Sequence, residues 1–407
     1  MKEELPKAPA VRAALRMTTD RLAAELARPE SDAPDWSDFE WRTAIAVAVM
    51  HGISGLLANR LRWQGPPAWQ AFLAEQAEQG RRREQRIRAL LAELDRRAHE
   101  AALPMLALKG SALLRLDLYA AGERPMSDVD LLVRPDAMEA AERLVLAAGY
   151  ERSIAQPRHI VYEPLGQSAD IAFGEHAGNP VKIELHAAIR EPLPVHEVDI
   201  TADLLHADAP GLNTYPSLAA LMRHLLLHTA GNLCNYGVRL IQLHDIAMLA
   251  PRLRAADWDE ALASAWWAGP PLQLAQRLFP GCLSIEAQAA LQRSVAVCPR
   301  WLRGKSASYR LVDVSLSRLG IPMLPGIEWS HSVGEAAALV RRRLHPGRVA
   351  QASNDLAVSR QHALAGAAWS HRPRWLKALS FLLGTPPRVQ TMYSLHRALD
   401  YRPSSSA

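Results

Sequence analysis

Asp128 and Asp130 stand two residues apart at the head of an apolar run, Val129 to Val133, within "GERPMSDVDLLVRPD". In a β-strand, side chains two apart share a face, so both carboxylates point one way and Val129 and Leu131 the other. Two carboxylates this close repel, and burying them beside apolar residues costs more still, unless a cation compensates. A hard divalent ion such as Mg²⁺ meets that need with oxygen ligands. Glu184, in "VKIELH", is the best third carboxylate because it falls in another predicted strand of the same region. Three carboxylates can hold two ions about 3.5–4 Å apart, which clamp the attacking and leaving oxygens of a phosphoryl transfer.

A second group lies upstream. "LALKGSALL" predicts a strand that turns at Gly110-Ser111 directly into a helix. Small residues there let backbone N–H groups approach a phosphate, and the helix start favours negative charge. Lys109 can neutralise a phosphate, the Ser111 hydroxyl can donate to one, and Arg124 can grip one with its planar fork.

The elements that must carry these residues change along the chain. Residues 1–35 read as polar, proline-bearing and loose at the start. Residues 37–63 predict one or two helices, and 67–101 a long charged amphipathic helix. The run Arg81 to Arg83 within it reads as a solvated face. A strand followed by a turn is then predicted at 103–111 and further short strands at 127–135, 158–165 and 181–189, with helices at 112–122 and 136–150, the latter bounded by Asp136 and Gly149. From about 215 the pattern is helical again. The expected fold class is α+β, a small mixed sheet at 100–200 between a helical region at 1–99, a helical domain at 201–300 and a mainly helical 301–407 with a polar tail.

The combination Lys109-Gly110-x-Ala112-Leu113, Tyr119, Arg124-Pro125-x-Ser127-Asp128-x-Asp130-Leu131-Leu132-Val133, Gly149-Tyr150 and Glu184-Leu185-His186 resembles the bacterial uncharacterised nucleotidyltransferase family of the polymerase-β-like superfamily. "HGISGLLANRL" and "HDIAMLAPRLRAADWDEAL" are similar to that family's flanking helices, so the likeness spans roughly 36–280. It implies a nucleotidyltransferase core that moves a nucleoside monophosphate from an NTP, ATP by default, to an unidentified acceptor hydroxyl. Asp128, Asp130 and Glu184 would be the catalytic metal ligands for two Mg²⁺ ions, with Mn²⁺ as the alternative. Lys109, Gly110, Ser111, Arg124 and Ser127 would contact the nucleotide. Two departures stand out: sixteen residues separate Ser111 from Asp128, more than is common in the superfamily, and Ala187 follows Glu184-Leu185-His186 where an aromatic is usual.

Other features bound the class. The chain has 407 residues and a net charge of +5 carried mostly by arginine, which permits anionic substrates but does not call for nucleic acid. No apolar secretory segment opens the sequence, and the longest apolar stretch, 43–58, falls short of a membrane span. Cys234, Cys282 and Cys298 have neither metal nor disulfide spacing, so a reducing cytoplasm is expected. His224, His228, His244 and Asp245 offer a competing reading as a helical phosphohydrolase, and a nucleotide-binding module without turnover is another. Gly304-Lys305-Ser306 is set aside because Pro299 stands where a phosphate-loop glycine belongs. The Trp266-Trp267 pair reads as packing.

Overall fold

The alternation around Asp128 does what its period demands. Val129 and Leu131 are fully buried on one side of their strand, packed with Ile183 and Leu185 against helical residues such as Ile87, Leu91, Leu94, Ala141 and Val145. Each such aliphatic side chain contributes about 1.5–3 kcal/mol on burial. The polar face therefore has to look the other way, toward the remaining helices. The architecture comes from a computed structural model that describes residues 5–155, 159–166, 171–205, 209–320, 322, 324–345 and 387–402.

The strands are β1 (Pro104–Ala107), β2 (Asp128–Leu132), β3 (Tyr150–Ala155), β4 (His159–Pro164), β5 (Lys182–His186), β6 (Arg190–Pro192), β7 (Glu197–Asp199) and β8 (Gly211–Asn213). Six form a mixed sheet in the order β3-β4-β5-β2-β1-β8, and β6 and β7 form a separate hairpin. β2 runs parallel to β5 and antiparallel to β1. The helices are α1 (Ala8–Ala27), α2 (Asp38–His51), α3 (Ser54–Arg60), α4 (Pro67–Glu100), α5 (Lys109–Arg115), α6 (Met138–Ala147), α7 (Thr201–Leu204), α8 (Leu218–Cys234) and α9 (Leu240–Leu249). They continue as α10 (Ala255–Ala261), α11 (Gly269–Leu278), α12 (Ile285–Ala296), α13 (Arg300–Ser306), α14 (Leu311–Val314), α15 (Val333–Leu344) and α16 (Val389–Asp400). A second apolar core joins α1, α2, α3, α8, α9 and α11 on the polar side of the sheet.

Two expectations about the helical parts need correction. The very start expected to be loose, residues 1–4, lies outside the described residues, but Ala8–Ala27 is a helix rather than loose chain: α1 buries Val11, Leu15, Leu22 and Leu26, a stripe at helical spacing that alanine-rich sequence obscures. The 112–122 helix starts earlier and stops sooner, at 109–115. α2 opens on a reciprocal Ser37–Glu40 capping box and ends at Gly52, whose φ of 66° the left-handed cap requires. The chain turns through 115° between α2 and α3, and among the described residues no single helix is long and apolar enough to cross a membrane.

His51 locks three of these parts together. The Leu240 N–H donates to its Nδ1 at 2.8 Å, so the ring proton sits on Nε2, 2.8 Å from the Ser317 hydroxyl. Burial, and then the charge of Arg239, push its pKa down from 6.5 to about 3. Between those values the unfolded chain binds the proton more readily, so stability is full above 6.5 and falls as the pH drops toward 3. His51→Asn keeps the acceptor for Leu240 and cannot be protonated. Its thermal midpoint should fall less steeply than the wild type's between pH 6.5 and 4. Parallel midpoint curves would show that this imidazole does not control the acid limb.

Candidate active site

Strand register assembles the acidic group. Asp130 on β2 is the direct cross-strand partner of Glu184 on β5, and Asp128 pairs with Lys182. Direct partners share a sheet face, so Asp128, Asp130 and Glu184 lie together, with His186 one step further along β5. Burial alone would raise the Asp130 carboxyl. Lys109 Nζ at 2.9 Å and His186 Nε2 at 3.0 Å outweigh it and hold the group far below the usual carboxylate range. Asp128 is pushed the other way, by burial and then by the Asp130 charge, and its nearest hydrogen bond comes from the Ser127 hydroxyl at 3.1 Å. The pair thus divides into one firmly ionised carboxylate and one poorly compensated one.

The turn after β1 is held from behind. Lys109 adopts a left-handed φ of 43°. Its N–H donates to the Tyr215 hydroxyl at 3.1 Å, which in turn donates to His224 Nδ1 at 2.6 Å. Burial keeps that imidazole neutral and able to accept. A Cβ on the next residue, Gly110, would stand 2.5 Å from Arg124 Nη1 and 3.1 Å from Met126 Sδ, so a larger residue there would displace the Arg124 and Met126 side-chain ends.

Arg124 reaches that turn from the long connection before β2. Its Nε and Nη2 both donate to Asp245 on α9 at 2.7 Å, and Asp245 also accepts from the Tyr119 hydroxyl at 2.7 Å. The sixteen residues between Ser111 and Asp128 are thereby a short helix and a loop clipped to α9. Lys109, Gly110, Arg124, Ser127, Asp128, Asp130 and Glu184 line one cavity of about 240 Å³. A neighbouring cavity of about 350 Å³, lined by Phe173, Ile171 and Tyr393 among others, shares Pro125, Ser127 and Arg239 with it. Arg239 stands in the wall between them, its Nε donating to the Met50 carbonyl at 3.1 Å. Burial lowers its pKa, and the Asp128 charge opposes that.

Seven of the eight residues expected to act together therefore line one cavity. Ser111 does not: it is buried behind the turn, its N–H on the Leu108 carbonyl and its hydroxyl without a partner among the described residues. His224, His228, His244 and Asp245 do not meet at one point, although His228 and Asp245 also line the acidic cavity and His244 and Asp245 share the Tyr119 hydroxyl. They bond respectively to Tyr215, Glu191, Tyr119 and Arg124. Arg239 and Tyr215 were not anticipated, since isolated residues outside a motif carry no pattern. His159 had a signal, the predicted strand beside "VKIELH".

Arg83 corrects the reading of its run as a solvated face. Arg81 and Arg82 do pair with Glu78 at the surface, but Arg83 points inward and is 5% exposed. Its guanidinium donates to the carbonyls of Met126, Ser127, Asn179 and Pro180, the residues that lead into β2 and β5. It therefore fixes the starts of the two acidic strands relative to each other. Arg83→Met removes this donor from the buried carbonyls of Met126, Asn179 and Pro180, while the Ser127 carbonyl keeps the Lys182 N–H. At about 1–3 kcal/mol for each of the three before relaxation, denaturant unfolding should show a loss of at least about 3 kcal/mol. Arg83→Lys should recover only part, because an ammonium cannot reproduce the fork. An unchanged midpoint for the Met variant would remove Arg83 from this role.

The family model described as an uncharacterised nucleotidyltransferase matches residues 37–278. That span is more than half of the chain and contains every residue lining the acidic cavity, and all those lining its neighbour except Tyr393 and Ser394. No curated protein and no solved structure matches. Nucleotidyl transfer is the general chemistry that this match supports, with a nucleotide as substrate. The chain belongs to the uncharacterised nucleotidyltransferase family.

Proposed function

We propose that the protein transfers a nucleoside monophosphate from an NTP, ATP by default, to an acceptor hydroxyl in a reaction that requires divalent cations. The observation that carries this is the β2–β5 register, which puts Asp130 opposite Glu184 with Asp128 on the same face, at a cavity that also holds Lys109, Arg124 and Arg239. Asp128, Asp130 and Glu184 would hold the cations. Their oxygen-only donor set suits Mg²⁺, and the poorly compensated Asp128 leaves room for a positive charge. Bound there, such ions stabilise charge on the attacking and leaving oxygens.

The chain's own residues divide the remaining work. Lys109, Gly110 and Ser127 face the triphosphate, with Arg124 Nη1 beside Gly110. Arg239 neutralises charge from the opposite wall, and the larger neighbouring cavity takes the base or the acceptor. The acceptor oxygen attacks the α-phosphorus. Its bond to phosphorus forms as the bond to the β-bridging oxygen breaks, pyrophosphate departs with the electron pair, and the acceptor's proton leaves on the Glu184 side. Ser111 supports the turn from behind. The Lys109–Asp130 ion pair favours a second reading, a nucleotide-binding module in which lysine permanently fills one cation position.

Asp130→Asn removes one carboxylate with little change of volume. Pyrophosphate release, screened with each NTP over a panel of hydroxyl acceptors, should fall by at least about 100-fold, or about 2.7 kcal/mol of transition-state stabilisation. Wild-type turnover in that variant would contradict the site assignment. Lys109→Ala should weaken nucleotide binding by about 1.5–3 kcal/mol, the range of a charge-assisted hydrogen bond. Ser111→Ala should change it by less than about 0.5 kcal/mol. If Ser111→Ala weakens binding more than Lys109→Ala, the ranking of the two sides of the turn is wrong. If Lys109→Ala raises turnover, lysine fills a cation position.

A further inference from the structure

The acidic face carries two imidazoles to which nucleotidyl transfer gives no part. His159 on β4 is the direct cross-strand partner of His186 on β5, with ring centres 4.9 Å apart. Both turn Nε2 toward the same atom, Glu184 Oε2, at 3.3 and 3.7 Å. His186 Nε2 also lies 3.0 Å from Asp130 Oδ1. The ligand atoms of His159, Glu184 and His186 all fall within 4.8 Å of one another. All three side chains are largely buried, at 16%, 21% and 10% exposed, so the chain fixes where they point.

These separations have a chemical meaning. Donors about 2.0–2.2 Å from a small dication stand roughly 3–3.5 Å from their neighbours, whether the geometry is tetrahedral or octahedral. One imidazole suffices to hydrogen-bond a carboxylate. His159, 3.3 Å from Glu184 Oε2, already has that separation, and His186, 3.7 Å from the same oxygen and hydrogen-bonded to Asp130, needs only a small approach to complete two nitrogens and one carboxylate on one side of a common centre.

We propose that His159, Glu184 and His186 form a site for a first-row transition-metal dication of the Zn²⁺ or Co²⁺ class, beside the oxygen-only position at Asp128 and Asp130. The proposal rests on the nucleotidyl-transfer reading only through the shared Glu184. Imidazole nitrogen suits such ions, whereas Mg²⁺ takes oxygen and sheds water reluctantly. The two cation positions of this family member therefore differ in kind, and the protein discriminates between metals. Asp130, in contact with His186, links them.

The test is a Co²⁺ titration without nucleotide, followed by visible absorption and calorimetry, with a parallel Mg²⁺ titration. It uses a His331→Ala background, because His196, His331 and Glu335 form a second, more exposed cluster within the same 4.8 Å limit. One Co²⁺ per chain should bind at least about 100-fold more tightly than Mg²⁺. His159→Ala should lose at least about 100-fold in Co²⁺ affinity, the upper range for residues that only support a ligand. His159→Gln keeps a polar side chain of similar size and covers the case in which the alanine variant does not fold. Co²⁺ binding no tighter than Mg²⁺ would overturn the proposal, as would unchanged Co²⁺ affinity in a folded His159→Gln protein. Co²⁺ binding at His159 without any Mg²⁺-dependent nucleotide binding would uphold this site and defeat nucleotidyl transfer. The reverse result would do the opposite.

Discussion

Three carboxylates on the inner face of one small sheet are the constraint that the rest of the structure answers. Asp128, Asp130 and Glu184 are brought together by register rather than by loop conformation, so none can move far from the others without breaking strand pairing. Burying such a group costs several kcal/mol per uncompensated charge. Compensation comes from around the cavity: Lys109 on Asp130, the imidazoles of His159 and His186 on the Glu184 side, and Arg239 across from Asp128. Asp128 remains the least well satisfied, which is where a bound cation would gain most.

The supporting elements follow from that need. The opposite face of the sheet is closed by apolar packing against α4 and α6, so the polar face must open toward the second core. Arg83 reaches from α4 and ties the starts of β2 and β5 through backbone carbonyls. Asp245 reaches from α9 and anchors the connection before β2 through Arg124 and Tyr119. His224 on α8 and Tyr215 hold the Lys109 turn. The helices around the core thus act on the site through individual hydrogen bonds, and the family match runs through both sides of the sheet.

The acidic strands were readable because alternation is local: Asp-Val-Asp-Leu states its own two faces, and Glu184 sits in a similar short apolar run. The Lys109-Gly110 turn was readable for the same reason. What was not readable depends on distant partners. Arg83 lies four residues before Ile87 and eight before Leu91, on the stripe that α4 buries, but that this stripe meets the strand starts is decided only by the fold. His224 and His228 suggested a metal by their spacing, yet they face Tyr215 and Glu191 separately. Arg239 follows a buried valine and precedes an apolar helix, and its place between two cavities depends on Gly52. A Cβ there would stand 2.5 Å from Arg239 Nη2. Ser111 shows the converse: its motif position is right for a phosphate turn, while its side chain lies behind that turn.

The most direct test of the central claim is calorimetric titration of wild type and an Asp128→Ala/Asp130→Ala variant with ATP, CTP, GTP and UTP, each with and without Mg²⁺. The account predicts that at least one nucleotide binds wild type in a Mg²⁺-dependent manner and that this binding disappears in a folded double variant. Mg²⁺-dependent binding that survives the double substitution would contradict it, because the aspartates would then not be what holds the cation and its triphosphate.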